Sequence, residues 1–255
     1  MTAPFGADRS SPQTRTAVCP EHGGYESRNV FHSIWSKCPA CAAEESRMRK
    51  AEEEERARLD AVRRHQLRVE FAGVPTRFLG QDFRAYTASL PAQMRALSAI
   101  RDYAEDFAAQ RRSGRGLVLF GMPGTGKTML AVAAVQALLD TWSVRYLTCM
   151  ELVREVRSTW SRRAAASEGD VMHQLGTLDL LVIDEVGASF GSDSERTILF
   201  DVIDRRYREM LPTILVTNEE AEGLKACIGD RAYDRLFQTA RWIVFDWPSH
   251  RKPAA

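Results

Sequence analysis

A glycine-rich stretch of eight residues near the middle of the chain constrains the fold more than any other feature. It reads Gly-Met-Pro-Gly-Thr-Gly-Lys-Thr at 121–128, follows an apolar run at 116–120 and opens a helical pattern at 127–140. This fit to G-x-x-x-x-G-K-[ST] between a strand and a helix predicts a loop whose backbone N–H groups surround a phosphate. Such loops occur in α/β domains with a largely parallel sheet.

The chemistry of this phosphate loop predicts a bound nucleotide. Glycines allow the backbone to curl around an anion, Lys127 is placed to reach the β and γ phosphates, and Thr128 is placed to bind Mg²⁺. We therefore expect ATP and Mg²⁺ as cofactors. The nucleotide-binding residues expected in the loop are Gly121, Pro123, Gly124, Thr125, Gly126, Lys127 and Thr128.

Two further strands are expected to end beside the loop, because carboxyl ends of parallel strands share one edge of a sheet. One is a buried apolar strand at 179–184 that ends in Asp184, the expected Mg²⁺ carboxylate. Glu185 follows and is expected to polarise the water that attacks the γ phosphorus. Asn218 follows the strand at 213–217 and is expected to bind the γ phosphate and that water, although turn chemistry alone also explains an asparagine there.

The chain divides into three expected parts. Residues 1–42 form a small module rich in loops, 43–72 form a charged helical linker, and 73–255 form an α/β domain in which strands and helices alternate. Gly73-Val74-Pro75 ends the helix, because proline lacks the backbone donor and disfavours helical geometry before it. Ser192 and Glu195 form a possible capping box at the start of a helix at 193–209.

The first module carries a candidate metal site. Cys19-Pro-Glu-His22 and Cys38-Pro-Ala-Cys41 are two short knuckles with the ligand set of a tetrahedral zinc ion. Four protein ligands leave no position for water, so the expected Zn²⁺ is structural. His32 is the rival fourth ligand, and reduced surface cysteines with a chance histidine are the alternative to a metal site.

Charge and hydropathy limit the function. Lys and Arg number 35 against 34 Asp and Glu, a net charge of +1 that excludes a uniformly basic coat protein and an acidic tail. No apolar run approaches the roughly 20 residues that a bilayer requires, and the N-terminus lacks the apolar segment of a secretory signal. We expect a cytoplasmic protein without a membrane partner.

Arginines are nevertheless concentrated in places where they could meet DNA. The stretch 151–163 has one aromatic residue among its basic residues, and arginines bind backbone phosphates while a Trp can stack on an unpaired base. The DNA-binding residues expected here are Arg154, Arg157, Trp160, Arg162 and Arg163. A solvated helix with Trp160 in the core is the alternative, and the arginines at 205–208 are a second candidate cluster.

From about residue 73 onward the chain resembles the AAA+ ATPases of the DnaC-like helicase-loader class, and it is similar to IstB-like transposition helper ATPases. The resemblance rests on the phosphate loop and on Asp-Leu-Leu-Val-Ile-Asp-Glu-Val-Gly at 179–187, Ile-Asp-Arg-Arg-Tyr at 203–207, Gly-Asp-Arg-Ala-Tyr-Asp-Arg-Leu at 229–236 and Trp-Pro-Ser-His-Arg at 247–251. It implies a P-loop NTPase (AAA+) fold, a parallel sheet sandwiched by helices.

The resemblance also implies a homo-oligomer with catalytic sites between subunits. Arg235 matches the arginine finger that reaches a neighbour's γ phosphate, and Arg231 lies close by. Arg251 matches a sensor arginine. The family usually has an aromatic residue before that arginine, but this chain has His250 there. Arg231 and Arg235 share one helix face at i and i+4, where like charges repel unless an anion is bound. Local pairing of Arg231 with Asp234 is the alternative.

The function expected is ATP-dependent loading of a replicative ring helicase onto single-stranded DNA. The resemblance implies that DNA lines the inside of a spiral of subunits and that cysteine knuckles of this kind engage the helicase. One alternative is a transposition helper ATPase acting on duplex DNA. Another is a nucleotide-switched adaptor with little turnover.

Overall fold

The structure is a computed structural model that describes residues 13–161, 164–187 and 192–250. The chain divides into two compact units, one that ends at Arg64 and one that begins at His65. Within the described part of the chain, no helix combines the length and apolar character needed to cross a bilayer.

The first unit contains a small antiparallel sheet in the order β1-β2-β3. Its strands are β1 (Thr14–Cys19), β2 (Gly23–Phe31) and β3 (Ile34–Trp35). Most of their side chains are exposed, and the buried Ser27 donates its hydroxyl to the carbonyl of Ser36 at 2.8 Å. The sequence predicted only loops here, because strands this polar show no alternating apolar face.

A long charged helix follows, and its end was predicted more accurately than its start. Helix α1 (Pro39–Ala72) begins at a proline, which is well tolerated in the first turn, four residues before the predicted linker at 43–72. It ends where predicted because Gly73 has φ +67, and a Cβ there would lie 2.6 Å from the carbonyl oxygen of Tyr146. Only glycine fits that position.

The second unit is built on one parallel sheet in the order β5-β6-β7-β4-β8. Its strands are β4 (Gly116–Gly121), β5 (Val144–Thr148), β6 (Leu180–Val186), β7 (Thr213–Thr217) and β8 (Ala240–Phe245). The helices are α2 (Pro91–Glu105), α3 (Phe107–Ser113), α4 (Lys127–Leu138), α5 (Cys149–Ser158), α6 (Glu168–Leu175), α7 (Asp193–Arg208), α8 (Ala221–Ile228) and α9 (Asp230–Thr239).

Helices cover both faces of this sheet, so the predicted α/β sandwich is confirmed. Side chains alternate along β4: Leu117 and Leu119 pack with α2 and α4, and Val118 packs with α5 and α7 on the other face. The predicted capping box is also present, because the Ser192 hydroxyl accepts the backbone N–H of Glu195 at 3.3 Å.

The prediction that the arginines at 205–208 could bind DNA is wrong for one of them. Arg206 is fully buried, and its guanidinium donates four hydrogen bonds. The acceptors are the carbonyl oxygens of Leu175, Leu178 and Pro212 and the hydroxyl of Thr213. Burial lowers its pKa to about 9. Arg206 therefore ties α6 and α7 to the sheet and cannot meet a phosphate of DNA.

We expect Arg206→Met to destabilise the protein by about 2–4 kcal/mol, because it leaves several buried acceptors without this donor. The matched control is Arg208→Met in the same helical turn, where the side chain is 67% exposed and pairs only with Asp204 in the described structure. That change should cost less than about 1 kcal/mol. Urea unfolding of the two variants measures the difference, and equal losses would contradict the structural role of Arg206.

Candidate functional site

The three predicted strand ends meet in one cleft at the carboxyl edge of the parallel sheet. The cleft has a volume of about 580 Å³, and Asp184, Glu185 and Asn218 line it together with part of the phosphate loop. The loop residues in the lining are Pro123, Gly124, Gly126, Lys127 and Thr128, whereas the predicted Gly121 and the fully buried Thr125 are not among them. The sequence prediction missed Arg77 and Phe78, which also line the cleft from a short 3-10 turn at Thr76–Phe78. The helix-ending Gly-Val-Pro at 73–75 is the signal that the chain turns into the site there.

The phosphate loop has the left-handed backbone that its glycines allow. Gly126 has φ +95, and a Cβ there would lie 2.4 Å from the ring of Tyr86. The hydroxyl of Thr125 donates to the carbonyl of Met122 at 2.7 Å, and the Lys127 ammonium lies 2.7 Å from the carbonyl oxygens of both Gly121 and Met122. The loop is thus closed on itself at the N-terminus of α4.

Asp184 is buried, with 2% of its surface exposed, and both carboxylate oxygens accept hydrogen bonds. The Tyr146 hydroxyl donates to Oδ2 at 2.7 Å, and the backbone N–H of Glu185 donates to Oδ1 at 2.6 Å. Burial and the charge of Asp184 raise the pKa of Tyr146, so its hydroxyl stays a donor. The sequence prediction missed Tyr146, because only the pairing of β5 with β6 brings the two side chains together.

The strand bulges where the two carboxylates lie. Ile183 pairs with Leu215 and Val186 with Thr217, so Asp184 and Glu185 together oppose a single residue of β7. Glu185 has φ +58, an uncommon conformation for a residue with a side chain, and its side chain is exposed. The bulge therefore places one carboxylate in the protein interior and the next one in solvent.

Asn218 reaches the cleft directly after β7. The hydroxyl of Thr217 donates to the carbonyl of Val186 and accepts the backbone N–H of Glu219 at 2.9 Å. These bonds join the end of β7 to the end of β6, so Asn218 and Glu185 are held at neighbouring strand ends.

The arginines expected to serve a neighbouring subunit lie on α9, away from the cleft of their own chain. Arg235 forms an ion pair with Asp204 at 3.2 Å, and its guanidinium lies 4.2 Å from the centre of the Tyr207 ring. Arg231 is exposed and forms no ion pair with Asp234 in the described structure, since Asp234 instead accepts a hydrogen bond from Gln238. Arg251 lies outside the described residues.

The basic stretch after β5 is only partly free to meet DNA. Arg154 is exposed, whereas Arg157 pairs with Glu195 at 3.3 Å. Trp160 is 56% exposed and donates its indole N–H to Glu168 at 2.6 Å, so it does not pack in the core. Arg162 and Arg163 lie outside the described residues.

The predicted metal ligands Cys19, His22, Cys38 and Cys41 form a cluster in the first unit, with ligand atoms all within 4.8 Å of one another. Sγ of Cys41 lies 3.5 Å from Sγ of Cys19 and 3.3 Å from Nδ1 of His22. Zinc–sulfur bonds of about 2.3 Å place tetrahedral ligands roughly 3.8 Å apart, so this set fits zinc. His32 lies outside the cluster, at the turn between β2 and β3.

The hydrogen bond between the Cys41 and Cys19 thiols raises the pKa of Cys41 to about 12, so the shared proton stays on Cys41 and leaves Cys19 the more acidic thiol. Hydrogen bonds from the backbone N–H of Glu21 and from His22 lower the pKa of Cys19 to about 6. Thiolates, not thiols, bind zinc, so this environment favours the ligand form of Cys19.

Comparison with known proteins identifies the family to which this chain belongs. Residues 44–252 match the family described as IstB-like ATP binding protein. The chain belongs to that family. This IstB-like chain is 34% identical over 171 residues to the replicative helicase loader DnaC of Escherichia coli (strain K12), covering 66% of the chain and 68% of the relative. DnaC of Buchnera aphidicola subsp. Acyrthosiphon pisum is 31% identical over 183 residues, with coverages of 71% and 73%.

Solved structures give the same fold for this IstB-like chain. A crystal structure of the DnaC helicase loader matches with a TM-score of 0.61 at 23% identity, covering 68% of this chain and all of the other. The replication initiator DnaA bound to AMPPCP and single-stranded DNA matches with a TM-score of 0.58 at 16% identity, covering 69% and 52%. The expected resemblance to DnaC-like loaders and the AAA+ fold are confirmed.

The backbone of Glu185 generates a stability prediction for this IstB-like protein. Because its φ is positive, Glu185→Gly should be more stable than Glu185→Ala, by about 1 kcal/mol. At Glu222, exposed in the first turn of α8, the order should reverse, because glycine disfavours helices. Thermal unfolding of the four variants measures both differences. Higher stability of the alanine variant at both positions would rule out backbone strain at Glu185.

Proposed function

We propose that this protein is an ATPase that loads a replicative ring helicase onto single-stranded DNA. The observation that carries the proposal is the identity of 34% with the helicase loader DnaC over 171 residues of the chain. Family membership supports ATP binding. Hydrolysis, the helicase partner and the DNA strand are parts of the proposal.

Several residues of the cleft have a role in the proposed hydrolysis. Backbone N–H groups of the loop and the Lys127 ammonium bind the β and γ phosphates. Mg²⁺ held by Thr128 and Asp184 would offset phosphate charge, and Tyr146 fixes the orientation of the Asp184 carboxylate. Glu185 accepts a proton from the attacking water, and its exposed side chain suits that task because a water molecule can reach it.

Assembly would complete the site. Arg235 is not among the described residues that line the cleft of its own chain, and its guanidinium is held by Asp204 and Tyr207 of α7. In the proposed homo-oligomer this guanidinium meets the γ phosphate bound by a neighbour, with Arg231 beside it and Arg251 reading the nucleotide in its own chain.

The remaining parts serve the two partners. We propose that residues 1–42 form a structural zinc module that, with the charged linker at 43–72, binds the helicase, and that 73–255 form the ATPase domain. Single-stranded DNA would meet Arg154, Arg157, Trp160, Arg162 and Arg163. The exposed ring of Trp160 supports this role, because a stacked base contributes about 1–3 kcal/mol.

The loading proposal is tested by mixing the protein with the ring helicase of its host, circular single-stranded DNA and ATP. We expect Arg235→Ala to lower ATP turnover and loading at least about 100-fold, because an arginine finger typically contributes more than that. Arg84→Ala is the control, since Arg84 is also an arginine paired with an aspartate, Asp82, but lies outside the residues expected to bind nucleotide or DNA. It should retain both activities.

Three results would contradict the loading proposal. One is failure of the wild-type protein to bind the helicase. Another is stronger stimulation of ATP turnover by duplex DNA than by single-stranded DNA, which would favour a transposition helper. Wild-type loading without ATP turnover would favour a nucleotide-switched adaptor.

Zinc in the first module is tested by elemental analysis of the purified protein. We expect one zinc per wild-type chain and a loss of at least about tenfold in zinc affinity for Cys41→Ser, because a neutral hydroxyl replaces a thiolate ligand. Cys227→Ser in the second unit is the control and should keep the metal. Wild-type protein without zinc would contradict the metal site.

A further inference from the structure

We propose that a strap formed by Tyr86, Trp247 and His250 orients the peptide groups of the phosphate loop, so that the loop presents its N–H groups to the nucleotide. The inference deepens the proposed ATP-binding function and rests on it. It assigns a positioning role to Tyr86, Trp247 and His250, none of which has a role in the predicted site. Arg251, which follows them, was already expected to act as a sensor.

The strap acts on two successive carbonyl groups of the loop. The hydroxyl of Tyr86 and the indole N–H of Trp247 both donate to the carbonyl oxygen of Thr125, each at 3.1 Å. The backbone N–H of His250 donates to the carbonyl oxygen of Gly124 at 2.8 Å. Two donors use both lone pairs of the Thr125 oxygen, so this carbonyl is fully bonded on the side of the strap.

Fixing the direction of these two carbonyl groups also fixes the direction of the N–H groups of Thr125 and Gly126, which belong to the same peptides and can bind an anion. In a trans peptide the C=O and N–H bonds point in opposite directions, and the described residues contain no cis peptide bond. The carbonyl of Gly124 therefore directs the N–H of Thr125 away from the strap, and the carbonyl of Thr125 does the same for the N–H of Gly126. Gly124 and Gly126 line the cleft, so the strap lies behind the loop and the donors face forward.

The two aromatic donors of the strap are buried, and the exposed His250 packs against one of them. Tyr86 and Trp247 are 5% and 3% exposed. The ring of Tyr86 packs edge to face on His250, with centroids 5.4 Å apart, and it fills the space beside the backbone of Gly126. Burial raises the pKa of Tyr86 to about 12, which keeps its hydroxyl protonated as a donor.

A second layer holds the strap in turn. The side-chain carbonyl of Gln93 accepts the backbone N–H groups of Ser89 and Leu90, at 2.8 and 2.9 Å, so its amide nitrogen is the atom that faces His250 at 3.3 Å. The amide N–H of Gln93 thus donates to the ring of His250. The segment that follows β8 is therefore anchored to the start of α2 as well as to the loop.

The contacts distinguish a positioning role from ordinary core packing. All three hydrogen bonds end on backbone atoms of the phosphate loop, and they come from two segments that are distant in sequence. If Tyr86 and Trp247 only filled space, loss of their polar hydrogens would leave nucleotide affinity unchanged. If they orient the loop, that loss lets the peptide groups rotate, and the N–H donors lose their alignment.

The test is calorimetric titration of the full chain with ATP and Mg²⁺. We expect Tyr86→Phe and Trp247→Phe each to raise the Kd for ATP about threefold and the double variant to raise it about tenfold or more, since each removes one hydrogen bond to the same oxygen. The KM for ATP should rise in parallel, whereas kcat at saturating ATP should change less than about twofold. Tyr86→Phe is nearly isosteric, so it decides the matter even where the double variant does not fold.

Tyr103→Phe is the matched control, because Tyr103 is also buried and donates its hydroxyl to a backbone carbonyl, that of Arg115 at 3.0 Å. Its Kd for ATP should equal that of the wild type. The positioning role is wrong if the wild type binds ATP and Tyr86→Phe binds it equally well. It is also wrong if Tyr103→Phe weakens ATP binding as much as Tyr86→Phe does. Absence of ATP binding by the wild type would instead overturn the proposed function itself.

Discussion

Parallel pairing of β4, β6 and β7 is the constraint on which the rest of the site depends. Parallel strands bring their carboxyl ends to one edge, so residues from three separate parts of the sequence meet without any contact being specified between them. Lys127 begins the helix after β4, Asp184 lies two residues before the end of β6, and Asn218 directly follows β7. Helices bury both faces of these strands, which explains why the strands are almost wholly apolar until the edge is reached.

Polar groups at this edge are held by bonds between strand ends rather than by salt bridges. Asp184 is fixed by Tyr146 of β5 and by the backbone of its own bulge, and Thr217 closes the gap between β6 and β7. Neutral donors orient a carboxylate without cancelling its charge, so the charge remains available to a cation. A salt bridge to a fixed arginine would have removed that capacity.

The sequence predicted the parts of the fold and the site that depend on local pattern. The phosphate loop, the apolar strand before Asp184 and the helix stop at Gly73 all follow from residue type and spacing. Tyr146 and Tyr86 were missed because their roles arise from pairing across the sheet and from packing behind the loop. Arg206 was assigned wrongly because an arginine buried against carbonyl groups and a solvated arginine have the same local sequence.

One continuous segment links the arginine helix to the phosphate loop. Helix α9 carries Arg235 and runs directly into β8, and β8 runs into the strap at Trp247 and His250. Strand β8 pairs along its whole length with β4, the strand that leads into the loop, and the carbonyl of Phe245 accepts the N–H of Met122 at 2.9 Å. Because a paired strand cannot slide without breaking its ladder, the position of α9 is fixed relative to the loop of its own chain. In the proposed homo-oligomer, the loop and the proposed arginine finger of one chain would therefore be joined through the same paired strand.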